Sequence, residues 1–438
     1  MHRRNFLGAT GSAIGAATVA SLFAPAALQK VQAATHKIAA LNPQQAAQDE
    51  SFWREIQQAF SINRSMINLD NGSVCPSPRI VTEAFVRYTW AQQEAPGFML
   101  WQAFAPLWQT ARDGLAKLFG CDAEEIAIVR NATEALNNIL LGIELRPGDE
   151  VLTTTHDYSA MQDALDQRSR REGIVVKTID KVPMPPQSMD ELLALYERGV
   201  TPKTRLILVT HPVNYTGQLF PVKQICEMAH RKGIEVAVDG AQSFANVDYK
   251  LSDLGCDYFG TSLHKWLLAP LGTGMMYIRK EKIGKVWPLF PQPVAEVGPD
   301  NIFKFAYQGT QSAAMGMAIS EALAFHDGVG PKRKEERLRH LTRHWTDRVS
   351  KLPNARFITS FAPEMSCGLA TFELTGIEPR ALTRHLWDRH RILVQAMINR
   401  RAPEIRGVRV TPNLYTTLGE LDYFCEAIER IAKNGIPK

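Results

Sequence analysis

Five short stretches of this 438-residue chain place chemically capable side chains where a strand gives way to a loop. They are Asn131-Ala132-Thr133-Glu134, His156-Asp157-Tyr158, His211 through Gly217, Asp239-Gly240-Ala241-Gln242 and Ser262-Leu263-His264-Lys265. Each has an innocent use taken singly: Thr133 as a helix N-cap, Tyr158 as a half-buried aromatic, Asp239 as a turn residue, Lys265 as a surface lysine. Jointly they do not read that way. Lys265 lies between a strand and the apolar run 266–271, an odd place for a surface ammonium. Asp239 ends the apolar run Val236-Ala237-Val238, where a buried carboxylate needs a partner. A lysine and a carboxylate at strand ends of one sheet are the parts an electron-sink cofactor requires, the lysine to make an imine and the carboxylate to hold a ring proton. Residues 131–134, opening a helix, would offer backbone N–H groups and a hydroxyl to a phosphate.

The surrounding pattern supplies the elements that must position these residues. Strand-like runs at 125–130, 150–155, 174–180, 205–210, 235–239, 258–262 and 272–279 alternate with amphipathic stretches at 133–143, 159–172 and 222–232. Near-continuous apolar strands separated by helices predict a mostly parallel sheet covered on both faces. Ligands on such sheets sit at the carboxyl ends of the strands. Beyond about residue 312 the texture changes. Helices are expected over 312–327 and 331–352, broken at Gly328-Val329-Gly330-Pro331. Strands at 369–374, 392–394 and 408–410, with helices at 379–389 and 418–433, then predict a smaller α/β domain. The charge run Lys332-Arg333-Lys334-Glu335-Glu336-Arg337 reads as a solvated helix face.

Composition bounds the function. Hydrophobic residues make up 45% and charged residues 22%, which excludes disorder. The length favours two domains. A mean hydropathy of -0.18 with only short apolar runs after the N-terminus excludes a multispan membrane protein. Without residues 1–33 the chain carries 47 basic against 45 acidic residues, a net charge of +2 and no polyanion-binding signature, so nucleic acid is not an expected partner. Residues 1–33 read as an address: Arg3-Arg4 before Phe6-Leu7, an uncharged Ala/Gly-rich stretch over 7–28, and Val31-Gln32-Ala33 ahead of Ala34. The paired arginines resemble a twin-arginine signal, which implies export of the folded protein to the periplasm through that machinery, without stable membrane association after cleavage. Six cysteines, at 75, 121, 226, 256, 367 and 425, show neither CxxC nor metal spacing and read as mostly buried thiols, so no metal is expected.

The segments VDGAQSFANV (238–247) and GCDYFGTSLHKWLLAPLGTGMMYIR (255–279) resemble the class V aminotransferases of the fold-type I pyridoxal-phosphate enzymes. The resemblance runs from Asn68-Leu69-Asp70-Asn71-Gly72 to Arg409-Val410-Thr411-Pro412. It implies an α/β fold with a large domain built on a mostly parallel seven-stranded sheet and a smaller α/β C-terminal domain. The corresponding organisation is a 34–75 segment packing with the small domain, a cofactor-binding domain over 76–312 and a small domain over 313–438. Carried over residue by residue, it implies Lys265 as the Schiff-base lysine and proton shuttle, and Asp239 as the partner of the pyridinium nitrogen. Gln242 would donate to the phenolic oxygen, and Asn214 would lie beside it. Tyr158 would stack on the ring, where many relatives place histidine. Ala132 and Thr133 with Ser262 and His264 would hold the phosphate. Gly309-Thr310 resembles the turn that reaches a neighbouring subunit's phosphate, which implies a homodimer. Arg409 is similar to the arginine that pairs with a substrate α-carboxylate, with Asn71 and Gly72 beside it.

Within the family, cysteine desulfurases need a nucleophilic cysteine on a mobile loop before that arginine, and residues 395–409 contain none. The features NLDNGSVCPSP (68–78), Glu94-Ala95-Pro96-Gly97-Phe98, His156-Asp157-Tyr158 and Asn214-Tyr215-Thr216-Gly217 resemble the isopenicillin N epimerase-like branch, whose members with twin-arginine signals include periplasmic siderophore-tailoring enzymes. An epimerase needs a second acid/base opposite Lys265, for which His211 and Tyr215 are candidates. The resulting expectation is an exported aminotransferase-like enzyme acting on the amino group of an amino acid or peptide. Epimerisation is the alternative, ahead of lyase chemistry, because one scaffold serves all three reactions.

Overall fold

The structure is a computed structural model that describes residues 26–291 and 297–437. The Arg3-Arg4 motif and the uncharged stretch up to residue 25 lie outside the described residues.

The chain opens with helix α1 (Ala26–Lys37), two short helices and strand β1 (Ile67–Asn68), followed by helices α2 (Arg79–Glu94) and α3 (Ala105–Phe119). Strand and helix then alternate: β2 (Ile126–Val129), α4 (Ala132–Gly142), β3 (Glu150–Thr154), α5 (Ser159–Glu172), β4 (Val175–Ile179), α6 (Met189–Gly199), β5 (Thr204–Thr210), α7 (Val222–His230), β6 (Glu235–Asp239), β7 (Tyr258–Ser262) and β8 (Gly274–Ile278). These strands form the expected seven-stranded sheet in the order β2-β8-β7-β6-β5-β3-β4. Only β8 runs against the others. Strands β2, β7 and β8 are buried along their whole length, because helices cover both faces. One face packs Leu136, Ile139 and Leu140 of α4 against Leu206, Leu208 and Ala237. The other packs Ile207, Val209, Val236 and Val238 among Phe119, Phe244 and Phe259. Gly274 lets β8 abut the start of α4, since a Cβ there would lie 2.6 Å from the Asn131 backbone.

Helices α8 (Ile319–Val329) and α9 (Pro331–Val349) lead to a four-stranded antiparallel sheet, β12-β13-β10-β9. It is built from β9 (Ala355–Phe357), β10 (Ala370–Leu374), β12 (Gln395–Ile398) and β13 (Arg406–Val410), with helices α10 (Pro379–His390) and α11 (Leu418–Asn434). Strand β11 (Ile392–Leu393) leaves this unit and pairs in parallel with β1, so the N-terminal segment joins the C-terminal one.

Two expectations need correction. The helix read over 312–327 is divided at Ala318, with a short helix Ala314–Met317 preceding α8. The charge run 332–337 is not a uniformly solvated face: Lys334, Glu335 and Arg337 are buried. Glu335 pairs with Arg339 one turn on, and Arg337 pairs with Glu50, 287 positions away, which no local charge pattern reveals. Helix α1 contains the Ala33–Ala34 pair; its Leu28, Val31 and Ala34, with Ile38 just after it, pack in the core, and Thr35 donates to the Gly328 carbonyl at 2.8 Å.

Candidate active site

The sheet delivers its polar strand ends to one place, against the edge of the small sheet. Asp239, the last residue of β6, is buried. Its Oδ1 accepts from the Ala241 N–H at 3.0 Å and its carbonyl from the His211 N–H at 2.8 Å. Burial raises its carboxyl to about 6, an effect only partly offset by the Ala241 hydrogen bond and the charge of Lys265. Lys265 follows β7 and has no hydrogen-bond partner at Nζ among the described residues. Burial lowers its ammonium to about 8, with Asp239 opposing and Arg409 adding to the shift. A free amine and a buried carboxylate within electrostatic reach of one another form the core of the site.

Helix α4 begins beside them. Asn131 caps it, its Oδ1 accepting from the Glu134 N–H at 2.9 Å. The Ala132 N–H donates to Ser262 Oγ at 2.9 Å, tying the helix start to the end of β7. Thr133 is exposed at this N-terminus, where the helix dipole favours an anion. His264 lies within 3.1 Å of the Thr273 carbonyl through Nδ1, and its ring is kept neutral by burial and by Lys265.

Tyr158 caps α5 and is 40% exposed, within electrostatic range of Arg409. The neighbouring His156 is buried, stacks on Phe220 at 6.5 Å and is held neutral, its imidazole lowered to about 4. Between them Asp157 points into the sheet and accepts four hydrogen bonds, from Thr153 Oγ1, Thr154 N–H, Thr154 Oγ1 and Thr210 Oγ1. That cage fixes the turn from which Tyr158 projects.

Arg409, in β13, is buried. It donates through Nη1 to the Asn214 carbonyl at 3.1 Å, and through Nη2 to Asp70 Oδ1 and Ser73 Oγ, both at 2.9 Å. Gly72 lies beneath it, and a Cβ there would stand 3.0 Å from Arg409 Cζ. Gln242 donates through Nε2 to the Gly72 carbonyl at 2.8 Å and accepts from Trp266 Nε1 at 2.9 Å, leaving one amide hydrogen.

Asn71, expected beside the substrate, is buried and engaged by both its amide atoms. Its amide donates to the Thr411 carbonyl at 2.8 Å and accepts from Tyr415 Oη at 2.6 Å, so it fastens the N-terminal segment to the small sheet. Thr310 is exposed, and Gln308 just before it donates to Glu134 in the first turn of α4 of the same chain.

The residue set fits pyridoxal phosphate. Four buried polar atoms around the strand ends have no partner among the described residues: His156 Nδ1, His211 Nδ1, Asn214 Oδ1 and Arg409 Nε. Buried polar atoms are normally satisfied, so four orphans beside a free lysine, a buried carboxylate and a helix N-terminus mark a place for a polar, phosphorylated ring.

Sequence reasoning missed Asp70, Ser73, Trp266 and Asn399. Asn399 Nδ2 donates to the Thr155 carbonyl at 2.7 Å, and Arg401 binds Asp163 and Asp166 of α5, which clamps the 399–405 loop onto the Tyr158 turn. Asp70 and Arg409 are 339 positions apart, so no spacing pattern links them.

The aminotransferase class-V family model matches residues 67–416. Isopenicillin N epimerase of Amycolatopsis lactamdurans is 31% identical over 401 residues, covering 87% of this chain and 99% of that protein. The isopenicillin N epimerase of Streptomyces clavuligerus is 30% identical, covering 86% and 98%. A probable cysteine desulfurase of Mycolicibacterium paratuberculosis is 27% identical over 87% of this chain and 58% of its own length. Among solved structures, a C-DES mutant with glycine covalently linked to its PLP cofactor superposes with a TM-score of 0.76 at 22% identity, covering 85% of this chain and 98% of that one.

Proposed function

The chain belongs to the class V aminotransferase family and takes pyridoxal phosphate as its cofactor; on that premise we propose that it is an exported aminotransferase acting on the amino group of an amino acid or peptide. The observation that carries this reading is the grouping at the strand ends of Asp239, Arg409 and a Lys265 amine without a hydrogen-bond partner among the described residues. When bound, pyridoxal phosphate supplies an aldehyde that condenses with amines and an electron-withdrawing pyridinium ring.

The chain's own residues divide the work. Lys265, with its ammonium lowered to about 8, is partly neutral near physiological pH and can both attack a carbonyl carbon and carry a proton. Asp239 would hold the ring N–H, and that pairing supplies the partner its buried charge lacks. The start of α4, with Thr133, Ser262 and His264, would hold the phosphate. Tyr158 would cover one ring face. Arg409 Nε, buried and unpartnered, would meet the substrate carboxylate.

Epimerisation is the second reading, favoured by the two epimerase relatives that align over nearly their full length. It requires an acid/base on the face opposite Lys265. His156 and His211 are both lowered to about 4 by burial, which suits them to frame a cofactor rather than donate a proton. Desulfurase chemistry is disfavoured by the cysteine-free, clamped 399–405 loop and by Cys75 and Cys367, whose thiols burial raises to about 12.

The reading extends to a homodimer and to periplasmic export. Exposed Trp90, Phe98 and Trp101 in the α2–α3 region and Trp287 offer apolar surface for a second copy. Arg3-Arg4 would address the chain to the twin-arginine machinery.

The deciding experiment is the visible absorption spectrum of the purified protein before and after each of a panel of L-amino acids. Loss of the visible band with appearance of a keto acid supports the aminotransferase. A band that persists while the amino acid racemises supports the epimerase. A protein without any band overturns both.

A further inference from the structure

Lys334 occupies a costly position. It lies in the first turn of α9 and is 1% exposed. A helix dipole disfavours a cation there, and a buried charge without a counter-ion is expensive. Lys332, Glu335, Arg337 and Arg339 nearby all have ion-pair partners. Lys334 has none among the described residues. Its Nζ donates to the Trp266 carbonyl and stands 3.5 Å from His326 Nδ1. His326 is held neutral by burial and by Lys334 itself.

That carbonyl belongs to the residue after Lys265. The surrounding loop turns tightly: the Leu268 N–H donates back to the Lys265 carbonyl at 3.2 Å, and the Ala269 N–H to the Leu263 carbonyl at 3.1 Å. Leu268 sits at φ 66°, a left-handed conformation that costs a leucine energy and persists only under external restraint. The Cys75 N–H on the His264 carbonyl at 3.1 Å and Ser77 Oγ on the Ala269 carbonyl at 3.1 Å restrain its ends. Lys334 restrains its middle. The Trp266 indole continues the connection through Gln242 to the Gly72 carbonyl beneath Arg409.

We propose that Lys334 is a positioning residue for Lys265: by holding the Trp266 carbonyl it fixes the strained loop that aims the Lys265 amine, and through Trp266 and Gln242 it supports the floor under Arg409. The inference rests on Lys265 being the cofactor lysine.

The test uses the wild-type holoenzyme and its Lys334→Met variant, each loaded with pyridoxal phosphate. The expected variant melts at or above the wild-type temperature, because a buried amine whose protonated form burial already disfavours, lowered to about 7, gives way to an apolar side chain. The pH titration of its visible band moves by about one unit, and kcat falls about tenfold with KM changed less than about twofold. A purely structural lysine would not give higher stability with lower turnover. A folded variant with wild-type titration and wild-type kcat overturns the proposal. Should the variant not fold, a crystal structure of the wild-type holoenzyme decides: Lys334 Nζ on the Trp266 carbonyl supports the proposal, and Nζ turned elsewhere overturns it. A wild-type protein without a visible band would instead remove the cofactor reading itself, so the two failures are distinguishable.

Discussion

Buried Arg409 and partly buried Asp70 form an ion pair, Nη2 to Oδ1 2.9 Å, across the join between the small sheet and the N-terminal segment. The arginine expected to receive a substrate carboxylate is therefore already held by a protein carboxylate, by Ser73 and by the Asn214 carbonyl. Asp70 orients the guanidinium, and the unpartnered Nε is what remains to offer.

Arg409→Ala is expected to raise KM for a free α-amino acid about 10–100-fold, the loss of a charge-assisted pair worth roughly 1.5–3 kcal/mol. It should also destabilise the protein, because partly buried Asp70 loses its ion-pair partner. Steady-state kinetics and thermal melts check both. An unchanged KM would mean that the substrate presents no α-carboxylate there.

Lys265→Ala should abolish turnover and the visible band while the far-ultraviolet circular dichroism stays native. In the wild type, the cofactor-free protein should load pyridoxal phosphate faster as pH rises through about 8, since only the neutral amine attacks. Asp239→Asn should move that profile to lower pH, because Asp239 is the group that raises the lysine value. Stopped-flow absorbance at a series of pH values measures it.

Asp239 carries the opposite sign in stability. Its folded-state carboxyl is raised to about 6, so its favourable contribution is present below the ordinary carboxylate value and is lost as pH rises through about 6. Asp239→Asn should therefore stabilise the cofactor-free protein at pH 7–8 by an amount on the order of 2–3 kcal/mol, and not at pH 4. Chemical denaturation at the two pH values tests this, and equal effects would contradict it.

Five of the six cysteines are buried, and only Cys121 is partly exposed. The native protein should thus titrate at most one thiol with an aromatic disulfide at pH 8, and all six after denaturation. Cys367→Ser should leave turnover unchanged, and L-cysteine should yield no sulfide beyond the cofactor background.

The α1 helix sets a limit on processing. Cleavage after Ala33 would strip Leu28 and Val31 from the core, at roughly 1.5–3 kcal/mol for each side chain. Protein recovered from the periplasm should therefore begin at or before Leu28, for example after the small-residue pattern Ala24-Pro25-Ala26, and N-terminal sequencing reads this directly. Replacing Arg3-Arg4 by Lys-Lys should retain the precursor in the cytoplasm.

The alternation of strands and helices, the seven-strand body and the strand-end residues Asp239, Ser262 and Lys265 were all legible in the amino-acid sequence. Each of these is a local property: an apolar run long enough to be buried on both faces, ended by a polar residue that the sheet exposes at its rim. The weaker elements escaped, among them the three-residue β9, too short for any periodicity. Which distant groups meet is settled by the folded arrangement alone. Asp70 reaches Arg409, Asn399 reaches Thr155, and Lys334 leaves an apparently solvated charge run to hold the residue beside Lys265. These pairings join segments from 68 to 339 positions apart. They depend on how the small sheet and α9 dock against the large one, and no local pattern of charge or hydrophobicity encodes that geometry.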